Sequence, residues 1–387
     1  MTLTLSQRKQ VLLAMLGPAS GGPPADLIAQ MDEGDWLAVD GMASQHRLGP
    51  WLHHRLKRHG DGGPVPEPIA ERWRAAYRDG AFGALTAQAA LVRLAAAFAD
   101  TGVPMVSLKG GQLAFFAYPE PALRPMRDLD ILVSPDDLMP ALNAMAAAGC
   151  TVPTDREAAV ARALNGDKHL DPIALPDCDR YIELHHRIAE PGLPCIDTVA
   201  ILGKARSAMI GGQAVPYPSP EHMLGHLVLH AAYNHRFDCG PLALVDIAVL
   251  AGSETFDLPA FVALARDGGW LHGAQLLLAL VEKHVAQTGI DIGQADVPET
   301  ILAEAETLIL QDFDQRAQVL LATQGARDGM AATVLGRLKK GLGTRPEEGR
   351  LRWIASRTAR TLRQGSDARS VEEAAAGARL ARWLRDT

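Results

Sequence analysis

Two aspartates, Asp128 and Asp130, stand at the start of a short apolar run that ends at Val133. The segment Leu129–Val133 is typical of a strand, and side chains two residues apart on a strand project to the same face. The two carboxylates are therefore expected to converge. Two convergent carboxylates can bridge a pair of divalent cations that clamp a triphosphate for in-line displacement. The same spacing also occurs as a loop cap or on a solvated edge, so it does not decide the function alone.

A third acid, Glu183, lies among apolar residues in a second strand-like segment, Arg180–Ile188. Burial of an unpaired carboxylate is costly, so Glu183 needs a cation or hydrogen-bond donors. We predict that it completes the acidic cluster, with a structural salt bridge as the alternative. His185 shares the face of Glu183 and His186 points the other way. We interpret His185 as a hydrogen-bonded structural histidine and do not include it in the predicted site.

A strand, two glycines and a helix precede the aspartates. The apolar segment VPMVSL ends at Lys109, and Gly110 and Gly111 open a predicted helix. Two glycines at such a junction allow backbone amides to approach an anion, and the helix amino end adds partial positive charge. The spacing of a Walker loop is absent. Tight packing is the more frequent reason for glycines at this position.

Together these segments resemble a known family. The resemblance rests on four segments: Leu108-Lys109-Gly110-Gly111, Tyr118-Pro119, the run LRPMRDLDILV over residues 123–133, and Glu183-Leu184-His185. They resemble the bacterial uncharacterised nucleotidyltransferase family of the DNA polymerase β superfamily, whose signature is a glycine pair, a D-x-D strand and a third acid. The resemblance spans about residues 30–255 and includes His46-Arg47-Leu48. An insert with three prolines separates the glycine pair from D-x-D and is longer than in minimal members of the superfamily. The resemblance is therefore less direct for the role of the glycines than for the three acids.

The resemblance implies an activity and a set of roles. Asp128 and Asp130 would bind two Mg²⁺ (or Mn²⁺) ions, and Glu183 would hold the catalytic metal and assist deprotonation of the acceptor hydroxyl. Gly110 and Gly111 would face the triphosphate. The implied reaction transfers a nucleoside monophosphate from an NTP, with ATP as the expected donor, to a hydroxyl or phosphate and releases pyrophosphate. A small molecule, peptide or protein is favoured over RNA as acceptor.

Further candidates flank this motif. Lys109 and Arg124 are cations beside it, and we predict that they contact phosphate, with a surface salt bridge as the alternative. The resemblance also includes His230 and Asp246, which implies that they line the acceptor side of the cleft.

A row of histidines, His222, His226 and His230, is spaced at i, i+4 and i+8 on one predicted helix. Two histidines at i and i+4 can chelate zinc, but no HExxH motif is present. Packing of the helical region against the catalytic one is therefore the preferred interpretation, and a metal site is the alternative.

The predicted fold is α+β: a polymerase-β-type nucleotidyltransferase mixed sheet with helices, flanked by largely helical regions. The predicted divisions are 1–95 (helical), 96–215 (catalytic) and 216–387 (helical). Prolines 216, 218 and 220 mark the second boundary. Residues 176–179 are expected to turn a hairpin that leads into the Glu183 strand.

Composition sets further bounds on the 387 residues. The chain is 48% hydrophobic and 21% charged, which favours a folded core over disorder. The four cysteines are far apart and form no CxxC, so a disulfide framework or zinc knuckle is not expected. We expect no secretory signal, no membrane span and a cytoplasmic location. The sequence does not indicate an oligomeric state.

Basic residues concentrate near the carboxyl end. Residues 337–369 contain ten Lys/Arg and three acids, although the chain has a net charge of −7. This stretch is the one support for an RNA-directed transferase, and a solvated helical face is the preferred interpretation. A third hypothesis is a non-catalytic nucleotide- or partner-binding module with the same fold, against which the three intact acids argue.

Overall fold

The computed structural model describes residues 2–18, 21–58, 65–328 and 367–386. These residues form two compact units. The first comprises residues 2–235 and 241–297, and the second comprises 236–240, 298–328 and 367–386. The sequence-based boundaries after residues 95 and 215 stay a prediction. The basic stretch 337–369 lies outside the described residues up to residue 366.

The first unit begins with helices. Their bounds are α1 Leu5–Ala14, α2 Ala25–Ile28, α3 Glu33–Gln45, α4 Gly49–Arg58 and α5 Glu67–Thr101. Thr4 caps α1 by accepting from the backbone N–H of Gln7, and the Gln7 side chain bonds back to Thr4 N. The helix predicted over residues 82–100 begins earlier, at Glu67. It ends, as expected, at Gly102, whose φ of 69° only glycine adopts freely.

A four-stranded mixed sheet follows, with strands β1 Val106–Ser107, β2 Asp128–Leu132, β3 Ile173–Ala174 and β4 Tyr181–His185. The order is β1-β2-β4-β3, and β2 and β4 are parallel while the outer pairs are antiparallel. The predicted α+β class and the predicted hairpin into β4 are confirmed. The helices around this sheet are α6 Lys109–Phe116, α7 Leu138–Ala147, α8 Arg156–Gly166 and α9 Thr198–Gly203.

A second sheet was not predicted. It is a two-stranded hairpin of β5 Arg206–Ile210 and β6 Gln213–Tyr217. Sequence pattern placed a boundary here because Pro216 reads as a breaker. Pro216 lies within β6, where a two-stranded sheet has open edges that tolerate a missing N–H.

Helices complete both units. In the first unit they are α10 Pro220–Val228, α11 Leu242–Ser253, α12 Leu258–Asp267 and α13 Leu271–His284. The predicted helix Glu221–Tyr233 is present, but Leu229–Asn234 is wound as a π-helix. The second unit contains α14 Glu299–Ile309, α15 Phe313–Asp328 and the helix Ala368–Trp383. Its buried Glu373 accepts hydrogen bonds from Gln311, Gln315 and Arg369.

The main core joins α5 and α7 to the inner strands. Leu91 and Phe98 of α5, Leu142 of α7 and Leu129 and Ile131 of β2 are all buried in it. Burial of this kind stabilises by about 25 cal/mol per Å² of apolar surface. Strand β2 is therefore held rigidly, and its polar residues are fixed in place.

Among the described residues one helix, α5, is long and apolar enough to cross a membrane by length and composition. Of its most apolar 18-residue window, 44% is buried inside the structure. The core helix of a globular protein meets the same criteria, so this is weak evidence for a span.

Candidate metal site

The centre of the candidate site is defined by strand register. Asp130 of β2 and Glu183 of β4 are direct partners in the parallel pair. His185, two residues after Glu183, projects to the same face. The sheet therefore brings two carboxylates and an imidazole to one patch, although 53 residues of sequence separate the two acids.

The side chains of this patch contact one another directly. Asp130 Oδ1 accepts hydrogen bonds from Lys109 Nζ at 2.8 Å and from His185 Nε2 at 2.9 Å. His185 Nε2 also lies 3.3 Å from Glu183 Oε2, and His169 Nε2 lies 3.6 Å from the same oxygen. One ligand atom each from Asp130, Glu183 and His185 lies within 4.8 Å of the others. Among the described residues, this is the one such group of three.

Asp130 is held as a carboxylate. Burial alone would raise its pKa, but the Lys109 ammonium and the His185 hydrogen bond lower the pKa well below its usual range. The Lys109 pKa is raised in turn, because Asp130 and Asp128 outweigh the desolvation of the ammonium. Both partners are therefore charged at neutral pH and form a buried ion pair.

Glu183 and His185 shift each other's pKa. The hydrogen bond from His185 is the largest effect on Glu183 and lowers its pKa. Burial would lower the pKa of His185, but its bonds to Asp130 and Glu183 raise it. His185 thus stabilises the ionised form of both acids.

Asp128 lies at the rim of the patch. It is half-buried and opens β2 on the face of Asp130, but its carboxylate is outside the closest group of three. Burial and the negative charge of Asp130 raise its pKa. The three predicted acids therefore lie close to one another, with Asp130 and Glu183 at the centre and Asp128 at the edge.

The donor set fits a divalent cation. Carboxylate oxygens suit hard cations such as Mg²⁺ and Mn²⁺, and an imidazole is compatible with Mn²⁺ and later transition metals. Asp130 and Glu183 provide two ionised carboxylates, and Asp128 supplies a third carboxyl group beside them, whose pKa is raised by burial and by the charge of Asp130.

The glycine pair packs tightly at the start of α6. A Cβ on Gly110 would lie 2.6 Å from Met126 Cγ, and one on Gly111 would lie 2.3 Å from Ser107 Oγ. These contacts agree with the packing interpretation of the motif. The predicted phosphate contacts of Gly110 and Gly111 stay a prediction.

Arg124 is bound by Asp246, which α11 contributes. Arg124 Nε lies 3.1 Å from Asp246 Oδ1, and its Nη2 lies 2.8 Å from Oδ2. The Tyr118 hydroxyl donates a hydrogen bond to Asp246 Oδ1 at 2.7 Å. Burial and the charge of Asp246 raise the Tyr118 pKa well above its usual range. The salt bridges of Arg124 and Lys109 are both buried, whereas the alternative predicted from the sequence was a salt bridge at the surface.

The histidine row runs along α10 into the π-helix. His222 bonds to Ser219, at 2.8 Å between Nδ1 and Oγ. His226 is 1% exposed, and neither of its ring nitrogens has a hydrogen-bond partner. The His230 ring lies 4.4 Å from that of His235. Within the described part of the chain these histidines form no group of three metal ligands.

His185 is a residue of the site that the sequence did not predict. The alternation of side chains on β4 placed it on the correct face, but a histidine two residues after an acid is usually structural. Its role depends on Asp130, which reaches it only through the parallel pairing of β2 and β4. His169 was missed because it lies in an isolated bridge opposite His185.

The buried Asp130 and the half-buried Glu183 and Asp128 place three carboxyl groups on a small mixed sheet, beside Lys109 and the amino end of α6, and define a candidate divalent-metal site. A comparison with protein families gives the family of the chain. The model of the family described as "uncharacterised nucleotidyltransferase" matches residues 32–286, and the chain belongs to that family. Searches of curated proteins and of solved structures found no match.

Proposed function

We propose that the protein is a metal-dependent nucleotidyltransferase with a polymerase-β-type catalytic sheet. It transfers a nucleoside monophosphate from an NTP, with ATP as the expected donor, to a hydroxyl or phosphate of a small-molecule, peptide or protein acceptor. The observation that carries the proposal is the register partnership of Asp130 and Glu183, with Asp128 on the same face. Family membership supports the reaction class.

In this proposal Asp128, Asp130 and Glu183 hold two Mg²⁺ or Mn²⁺ ions. When bound, such ions polarise the phosphates and stabilise the entering and leaving oxygens. Lys109 Nζ now bonds to Asp130 Oδ1, so a cation at this oxygen would compete with the ammonium. Lys109 released from Asp130 would lie beside Gly110 and Gly111 at the start of α6, where the donor phosphates are proposed to bind.

The reaction requires positioning and a proton acceptor. An acceptor oxygen attacks the α-phosphorus of the NTP, the bond from that phosphorus to the bridging oxygen breaks, and pyrophosphate leaves. Glu183 is the proposed recipient of the acceptor's proton, directly or through one water. His185 holds Asp130 and Glu183 in their ionised forms and in one geometry, so that no reorganisation is needed during transfer.

The acceptor side is proposed to include His230 and Asp246. Asp246 would act by holding the Arg124 guanidinium in place through two hydrogen bonds. His230 has a buried Nδ1 without a hydrogen-bond partner, which a bound molecule could contact. A cytoplasmic location, where NTP and Mg²⁺ are abundant, belongs to the same proposal.

The experiment that tests the activity distinguishes transfer of the α-phosphate of the NTP from transfer of its γ-phosphate. Each NTP is labelled either at the α- or at the γ-phosphate and is incubated with Mg²⁺, the protein and separate small-molecule, peptide-plus-protein and RNA fractions of a cell extract. Transfer of α-label with release of pyrophosphate, lost in Asp130→Asn/Glu183→Gln, supports the proposal. Transfer of γ-label would show a kinase instead.

The choice of fraction also separates the hypotheses on the acceptor. Labelling of the RNA fraction alone would favour the RNA-directed transferase. If no fraction is labelled from any NTP, and no NTP binds with Mg²⁺, the non-catalytic binding module is favoured. The control variant is Asp136→Asn, which removes an exposed acid six residues after Asp130.

A further inference from the structure

Four arginines from separate segments of the first unit line one cavity of about 290 Å³. Among the described residues that line it, Asp79 is the only acid, and much of the remaining lining is small or apolar. An excess of cations around a concave space favours binding of an anion, because low-dielectric walls concentrate the field. The four are Arg47, Arg72, Arg124 and Arg180.

Two of these guanidinium groups are already neutralised by buried carboxylates. Arg124 is bound through two nitrogens by Asp246, and Arg72 Nη1 lies 2.8 Å from Asp40 Oδ2. Their positions are therefore fixed, and they contribute less net charge to the cavity. The charge available to a ligand comes mainly from the other two arginines.

Arg47 has no carboxylate within salt-bridge distance among the described residues. Its Nη1 donates one hydrogen bond, to the Pro125 carbonyl at 3.3 Å. Burial, together with the positive charges of Arg124 and Arg127, lowers the Arg47 pKa to about 10. Its backbone has a φ of 58°, a left-handed conformation that non-glycine residues rarely adopt. An anion beside Arg47 would relieve the repulsion between these guanidinium groups.

Arg180 is also incompletely paired. Within the described part of the chain its only carboxylate partner is the exposed neighbour Asp179, and its Nε is buried without a hydrogen-bond partner there. Gly83 of α5 makes room for it, since a Cβ there would lie 2.2 Å from Arg180 Nη2. Glycine inside a helix is less favourable than alanine, because it loses more conformational freedom on folding. Gly83 therefore lowers the stability of α5 at the point where the Arg180 guanidinium enters the cavity.

The cavity adjoins the candidate metal site. Arg124, Pro125 and Met126 line it just before Asp128, and Arg180 directly precedes Tyr181. Asp128 and Tyr181 are register partners at the amino ends of β2 and β4. Asp130 and Glu183 lie two residues further along, about 6–7 Å at the rise of a strand.

We propose that this arginine-lined cavity binds an oxyanion, phosphate or carboxylate, carried by the nucleotidyl acceptor. The inference rests on the proposed function and narrows it, because the acceptor is then an anionic molecule. The donor phosphates are assigned to the metal cluster and the start of α6. The cavity is a second anion site next to that cluster, at a distance suited to the attacking molecule.

The test is calorimetric titration of the full chain with inorganic phosphate and, separately, with acetate. At least one of them should bind the wild type and bind at least about tenfold more weakly to Arg47→Gln and to Arg180→Gln, since a charge-assisted bond contributes roughly 1.5–3 kcal/mol. Arg78→Gln is the matched control, because Arg78 lies on α5, is exposed and pairs with Glu71 outside the cavity. Gly83→Ala displaces Arg180 without removing charge and should weaken binding too. Thermal unfolding without ligand checks that each variant is folded.

Two results would overturn the anion site: neither anion binds saturably, or Arg78→Gln weakens binding as much as the cavity variants. Binding of each NTP with Mg²⁺ is measured on the same proteins. The proposal expects Asp130→Asn to lose NTP binding and keep phosphate or acetate binding, and the arginine variants to show the reverse. If the arginine variants lose both, the cavity holds the donor triphosphate and the acceptor assignment is wrong. If the wild type binds no NTP while the arginine effect persists, the proposed function fails and the anion site stands without an acceptor role.

Discussion

Asp130 and Glu183 face one another as register partners on two parallel strands, and His185 Nε2 lies between their carboxylates, 2.9 Å from one and 3.3 Å from the other. One imidazole therefore bridges both acids. This relationship fixes the spacing of the carboxylates before any cation binds. It also makes His185 a positioning residue whose loss is distinguishable from loss of a metal-binding acid.

Replacement of His185 should weaken metal binding without abolishing it. Loss of a group that orients metal-binding acids typically costs about 10–100-fold in affinity. We expect His185→Ala to lower Mn²⁺ affinity within that range and Asp130→Asn to eliminate saturable binding, both measured by electron paramagnetic resonance of free Mn²⁺. His169→Ala is the control, because His169 lies further from Glu183, at 3.6 Å, and does not bond to Asp130. Equal loss in His185→Ala and Asp130→Asn would make His185 a metal ligand instead.

The pair Arg124–Asp246 should stabilise the fold only while both partners are present. Removal of one partner leaves a buried charge and costs about 3–5 kcal/mol in the free energy of unfolding. We expect Arg124→Met and Asp246→Leu each to destabilise by this amount and the double variant to destabilise by less than their sum, as measured by urea unfolding. Strictly additive effects would show that the two side chains do not interact.

Gly111 should be intolerant of a side chain because of one neighbour. A Cβ at Gly111 would lie 2.3 Å from Ser107 Oγ, a buried atom without a hydrogen-bond partner. We expect Gly111→Ala to lower the free energy of unfolding by about 1–3 kcal/mol and Ser107→Ala in the same chain to restore part of it. Gly41→Ala is the matched control, since α3 leaves open space at Gly41 and alanine favours helix. No rescue by Ser107→Ala would contradict this account of the packing.

The buried His226 should make stability depend on pH. Burial, followed by the nearby Lys109 charge, lowers its pKa well below the ordinary value near 6.5. Below pH 6.5 the unfolded chain therefore binds a proton at His226 that the folded chain does not. The free energy of unfolding consequently decreases as the pH is lowered. This one residue should account for up to about 1.4 kcal/mol between pH 7.5 and 5.5. His226→Leu should reduce that loss in urea unfolding, and an unchanged pH dependence would contradict the assignment.

Local pattern predicted the parts of the site that depend on neighbours in sequence. The alternation of Asp128 and Asp130 and the glycine stop at Gly102 were readable because strand period and backbone sterics act locally. The bridge from His185 to Asp130 and the anchoring of Arg124 by Asp246 were not readable. Each joins residues 55 or 122 positions apart, and only strand pairing and helix docking bring them together. The β5–β6 hairpin was missed because Pro216 was read as a boundary rather than as an edge residue.

The central claim is that Asp128, Asp130 and Glu183 hold divalent cations that bind an NTP. Its most direct test is the thermal stability of the protein with each NTP, with and without Mg²⁺, because a ligand that binds the folded state raises apparent stability. The account predicts a Mg²⁺-dependent stabilisation by one NTP that is lost in Asp128→Asn/Asp130→Asn and retained in Asp136→Asn. No Mg²⁺-dependent stabilisation by any NTP, or one that the double variant keeps, would contradict it.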